Sequence, residues 1–167
     1  MIALWRGGTP VGVYVHEFLK AVNINPEHIA VRTSRYNENN DGKISNTLNV
    51  FGLHYIIDNA NHDSKLLIVD DIVDEGITVT GVIKELSDKM RKNLPGDIKV
   101  ATPYFKPEKL LDGMRKPDYF NHIIDKDKWL VFPHEYEGLN DKEIAKFHGE
   151  KYLNLITKAK ETIKNLK

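Results

Sequence analysis

The sequence predicts an α/β fold: a single domain, residues 1–167, built on a parallel sheet with helices on both faces. Three observations carry that expectation. Short apolar runs alternate with amphipathic helical stretches along most of the chain. The strand-like runs are apolar at nearly every position, as strands covered on both sides require. Glycine- or acid-rich turns follow two of the strands where helices begin, and ligands of such sheets bind beyond the strand C-termini.

The first strand is read at Ile2–Trp5, ending in a turn with Arg6, Gly7 and Gly8. A helix follows, with Val11, Val15, Phe18, Leu19 and Val22 on one face. Ile29–Thr33 gives a second strand. The polar, turn-rich stretch from Arg35 to Lys43 is the one linker-like segment. A third strand at Leu66–Asp70 leads into a helix whose Val79, Val82, Ile83, Leu86 and Met90 share a face. A fourth strand is expected at Ile98–Tyr104. From about residue 141 to 167 the chain reads as one or two helices, with Leu153, Ile156, Ile163 and Leu166 as an apolar stripe and lysines outside it.

Composition narrows the function classes. The 167 residues contain no cysteine, which removes disulfides and cysteine–zinc sites. Lys plus Arg and Asp plus Glu are equal at 24 each, so global charge points to neither a nucleic-acid nor a membrane partner. Apolar runs are too short for a transmembrane helix, and no signal peptide is read. A cytoplasmic location is expected.

The most informative stretch is residues 66–78, Leu-Leu-Ile-Val-Asp-Asp-Ile-Val-Asp-Glu-Gly-Ile-Thr. A buried strand ends in two carboxylates, Asp70 and Asp71, and then enters a tight turn at a helix N-terminus. Free backbone N–H groups and the helix dipole favour a phosphate there. Paired acids beside an anion cradle suit a ligand with vicinal hydroxyls and a phosphate, with a divalent metal nearby. A phosphorylated sugar fits. The acids are not spaced as in an EF-hand loop, and the Gly-Lys-Ser/Thr of a Walker loop is absent.

This stretch resembles the phosphoribosyl-diphosphate (PRPP) signature of the type I phosphoribosyltransferases. The resemblance implies that family's fold, with a small hood and base-binding subregion. It implies that Asp70 and Asp71 hold the ribose hydroxyls and a Mg2+ ion. The turn amides of Asp74, Glu75, Gly76, Ile77 and Thr78, with the Thr78 hydroxyl, would hold the 5′-phosphate, and Gly76 would let the backbone approach it. Glu75 departs from the family, where threonine or serine is usual.

Three further segments extend the resemblance. The Arg6-Gly7-Gly8 turn is similar to the family's pyrophosphate loop, which commonly contains a cis non-proline bond, expected here at Arg6–Gly7. Residues 34–47 match the mobile hood, with Ser34, Arg35 and Tyr36 approaching the pyrophosphate. Lys106 after the fourth strand and Trp129 some twenty residues later resemble the base pocket of the 6-oxopurine enzymes. There Lys106 would contact the purine O6, Trp129 would stack on the ring, and Leu130 would meet the base edge through its backbone. Glu135 falls near the second magnesium of relatives, and Asp74 falls where a general base would receive the N7 proton.

The implied reaction joins a purine base to PRPP, giving a nucleoside 5′-monophosphate and pyrophosphate, with Mg2+ as cofactor and a homodimer as the assembly. Two other readings stay open: a PRPP-binding regulator without turnover, and a phosphoribosyltransferase for another nucleobase. Relatives usually carry a helix before the first phosphate loop; the expectation is that the C-terminal helices fill that surface.

Overall fold

The computed structural model describes residues 1–35 and 48–166, and the chain divides into two compact units, Met1–Lys128 and Trp129–Lys167. The first unit holds the sheet. β1 (Ile2–Trp5) pairs in parallel with β2 (Ile29–Arg35) on one side and with β4 (Lys65–Val69) on the other. β3 (Leu48–Phe51) closes the β2 edge in antiparallel register. β6 (Asp97–Phe105) lies beyond β4 and carries β7 (Tyr119–Ile123), again in parallel. The sheet is therefore mixed but mainly parallel, with β3 as its antiparallel edge.

Alternation along β1 sorts the two faces. Ile2 and Leu4 join Val31, Ile68 and Val100 in a core closed by α3 (Ile77–Met90) and the short α2 (His54–Asn59). Val79, Val82, Leu86 and Met90 of α3 are buried there, so the expected stripe of that helix is the face that packs. On the other face Ala3 meets α1 (Gly8–Ala21). A Cβ on Gly12 would come within 2.6 Å of the Ala3 Cβ, so glycine lets this helix lie close to the sheet.

That close approach corrects the predicted face of α1. Gly8 and Gly12 are its buried residues, and Val11, Val15 and Leu19 are half-buried beside them. Phe18 and Val22 remain exposed, because the glycine row, not the bulkiest apolar row, faces the sheet.

β4 does not simply end at the acid pair. Asp70 N–H still donates to Ala101 O at 3.1 Å, and β5 (Ile72–Val73) resumes pairing with β6 in the register that β4 began. Asp70 and Asp71 thus interrupt one long strand line. The strand predicted from the sequence ends at Asp70, because a two-residue strand inside a motif leaves no periodic signal.

The second unit contains α4 (Asp141–His148) and α5 (Glu150–Asn165), packed as a helical hairpin. Ile144 is its buried anchor, and Leu153 and Ile156 are half-buried. Ile163 and Leu166, expected in the same stripe, are exposed, since α4 is only half as long as α5 and its Asp141 end lies beside Lys160.

Candidate functional site

The two glycine-bearing turns meet at the C-terminal ends of β1 and β4. Gly7 lies directly against the Asp71 carboxylate, and a Cβ on Gly8 would come 2.8 Å from the Asp70 Cα. Glycine at both places is required by close approach. α1 starts at Gly8 with no side-chain cap and no acid in its first turn. α3 starts at Ile77 in the same way, with Gly76 as an uncapped N-cap. By contrast α4 is closed by a capping box between Asn140 and Glu143. Two helix N-termini at the strand ends thus begin at glycines that supply no side-chain cap, an arrangement that favours an anion.

A cleft of about 230 Å³ lies over this junction, lined in part by Asp70, Asp71, Asp74, Glu75, Gly76 and Thr78. Asp71 is buried and Asp70 half-buried. Asp70 Oδ1 accepts the Asp71 N–H at 3.0 Å. Burial first, and the neighbouring Asp71 charge second, push the Asp70 carboxyl well above the ordinary carboxylate range. A divalent cation would relieve that repulsion, so the pair fits magnesium. Among the described residues no cluster of three or more histidine or carboxylate groups could hold a metal by itself. Oxygens of a bound ligand would have to complete the shell, which is how magnesium commonly binds with phosphates.

Gly76 also has a packing reason to lack a side chain. Its φ is +78°, and a Cβ would meet Leu110 Cδ1 at 2.6 Å and Met114 Cβ at 2.8 Å. Glycine is demanded there by the left-handed turn and by the segment from Leu110 to Met114 packed against it. The Ile77 side chain leaves the cleft and lines a separate, mainly apolar cavity of about 400 Å³ with Leu48, Thr80, Leu111 and Met114. Asp74 does not cap α3, since the N-cap is Gly76.

Beside the cleft, Lys106 is buried just past the end of β6. Its ammonium donates to Lys128 O at 2.7 Å and to Lys126 O at 3.4 Å, and stands 4.0 Å from Asp74 Oδ2. A buried donor and a carboxylate thus share one rim. Lys109, which the sequence reading did not single out, donates to the same Asp74 oxygen at 3.2 Å. Its only signal in the chain is the spacing of the Lys-Pro-Glu-Lys run, and the contact spans 35 positions.

Other expected residues fall differently. The cis bond is Trp5–Arg6, not Arg6–Gly7. The ladder of β1 runs through Trp5, paired with Arg32, so the strand ends where the sequence places it. Arg6 is exposed at that turn. Ser34 and Arg35 belong to β2, opposite Asn49 and Leu48 of β3, and so lie in a strand ladder where a hood loop was expected. Tyr36 lies outside the described residues. Trp129, Leu130 and Glu135 belong to the second unit, where Trp129 is 80% exposed and the Glu135 carboxylate accepts the Phe132 N–H at 3.1 Å.

Solved structures share this architecture. A purine phosphoribosyltransferase from Pyrococcus horikoshii matches 83% of this chain over 79% of its own, at 22% identity and a TM-score of 0.59. The fold is that of the type I phosphoribosyltransferases. A hypoxanthine phosphoribosyltransferase from Staphylococcus aureus matches 83% of this chain and 70% of its own at 14% identity, with a TM-score of 0.58. A hypothetical protein from Neisseria gonorrhoeae, solved with bound ppGpp, matches 89% of this chain and 79% of its own at 21% identity, with a TM-score of 0.64. No protein-family model matches the sequence, and no curated protein does. No helix among the described residues is long and apolar enough to cross a membrane.

Proposed function

We propose that this chain is a magnesium-dependent phosphoribosyltransferase that joins a 6-oxopurine to the sugar of PRPP. The observation that supports it most is the pairing of Asp74 with buried Lys106, 4.0 Å apart, beside the acid-pair cleft. A 6-oxopurine carries a carbonyl oxygen and N7 on one edge, and a lysine donor next to a carboxylate acceptor complements that edge. Adenine has no such oxygen.

In this reading the 5′-phosphate sits on the first-turn amides of α3 and the pyrophosphate near the uncapped start of α1, with Arg6. Asp70 and Asp71 would hold the ribose hydroxyls and magnesium, and Glu135 would stand near a second magnesium. The metal, when bound, neutralises charge on the departing pyrophosphate. The purine N9 lone pair forms the bond to C1′ as the C1′–oxygen bond breaks, its electron pair leaving with pyrophosphate. N7 gives its proton to the Asp74 carboxylate, and Lys106 donates to O6. Trp129 stacks on the ring, and Leu130 meets its edge. The protein works in the cytoplasm as a homodimer.

The test is a panel of nucleobases with PRPP and magnesium, followed by nucleotide formation. Turnover is expected with hypoxanthine, guanine or xanthine and not with adenine. Asp74→Asn should lower kcat by about 10²–10⁴-fold. A second reading, a PRPP- or nucleotide-binding regulator without turnover, is favoured by the ppGpp-bound neighbour. Tight PRPP binding with no turnover of any base would select it.

A further inference from the structure

Asp74 is held by more positive charge than a proton acceptor requires. Its Oδ2 lies 3.2 Å from Lys109 Nζ and 4.0 Å from Lys106 Nζ, while Oδ1 is enclosed and has no hydrogen-bond partner among the described residues. The two lysines are engaged differently. Lys106 is buried and donates to two backbone carbonyls. The Lys109 side chain is 41% exposed, and its ammonium bonds only Asp74 among the described residues.

Backbone bonds fix that contact. Lys106 N–H donates to Val73 O at 2.9 Å, and Leu111 N–H donates to Glu75 O at 3.3 Å. Between them the 3-10 turn Pro107–Lys109 closes with Lys109 N–H on Lys106 O at 3.1 Å. The turn carrying Lys109 is therefore fastened to the residues on either side of Asp74. An exposed lysine–carboxylate pair adds little to stability. Its effect here is on orientation, because the terminal torsion of a carboxylate is soft and would otherwise exchange the two oxygens.

We infer that Lys109 is a positioning residue that holds Asp74 through Oδ2 and so fixes the orientation of the carboxylate that receives the N7 proton. The inference rests on the phosphoribosyl-transfer reading. Lys109 touches neither base nor sugar; it acts through Asp74.

The test is steady-state kinetics on full-length wild type, Lys109→Met, Lys109→Arg, Asp74→Asn and the Asp74→Asn/Lys109→Met double variant, using the base that the panel identifies. Lys109→Met should lower kcat by about tenfold, less than the roughly 10²-fold that a 1 Å misplacement can cost, with base KM and PRPP affinity within about twofold. Lys109→Arg should restore most of the rate. In the Asp74→Asn background the methionine change should have no further effect, since residues that act as a unit are non-additive. Equal losses in both backgrounds, or an unchanged kcat in Lys109→Met, would overturn the assignment while leaving the enzyme reading intact. A wild type that turns over no base would remove both.

Discussion

Asp70 accepts the Asp71 N–H on its own side chain while sitting beside the Asp71 charge, and burial adds to the cost of ionising it. Its folded pKa is raised, so the folded protein keeps a proton that the unfolded chain has released. The contribution of Asp70 to stability is therefore fullest below the ordinary carboxylate range and declines as pH climbs through the raised folded value. Asp70→Asn should raise the Tm of the ligand-free protein at neutral pH by about 2–4 °C and flatten its Tm-against-pH curve in that window, while abolishing PRPP binding. A lower Tm in the variant would contradict the assigned repulsion. Gly7 offers a second residue-scale test. Its Cβ position is occupied by the Asp71 carboxylate, so Gly7→Ala forces that group aside. Calorimetry should show PRPP affinity falling by about tenfold, equivalent to roughly 1.4 kcal/mol, with little change in Tm.

Among the elements, α1 and α3 contrast with α4. The first two start beside the acid pair with uncapped N-termini; the third is sealed by Asn140 and Glu143. Asn140→Ala should cost about 1 kcal/mol and speed amide exchange within α4 by roughly fivefold. At α3 the left-handed Gly76 fits against Leu110 and Met114. Gly76→Ala should cost about 1–3 kcal/mol, lowering Tm by roughly 2–4 °C for each kcal/mol in a chain of this size. A stability loss without a measurable drop in PRPP affinity would mean that the turn serves only the packing of α3.

For the molecule as a whole, the two faces of the sheet are covered unequally. The α3 side holds the closed core, whereas the other side carries α1 with Tyr14, Phe18 and Val22 outward at helical spacing. A groove of about 540 Å³ next to α1 is lined by Val11, Val15, Tyr119 and Phe120 among others. Exposed apolar surface can mark association sites, and these residues are where the proposed homodimer is tested. Sedimentation at micromolar concentration should give twice the 19.2 kDa chain mass, and Phe18→Asp should shift the protein toward monomer. A wild type that sediments as a monomer would exclude that assembly.

The main strands, the stripe of α3 and the acid–glycine turn were legible in the chain because each is written in consecutive residues. Apolar runs mark strands buried on both faces, and the turn has local backbone demands. β7 escaped because Tyr119–Ile123 is exposed throughout and becomes a strand only through its ladder with β6. α1 misled because its bulky apolar residues outweigh the glycines that face the sheet. Lys106 could be named from its place after a strand; Lys109 could not, since its partner lies 35 positions away. Order along the chain determined which groups stand at the strand ends. Tertiary packing alone decided which oxygen of Asp74 is held and which helix face meets the sheet, because those depend on approaches between segments that no local pattern encodes.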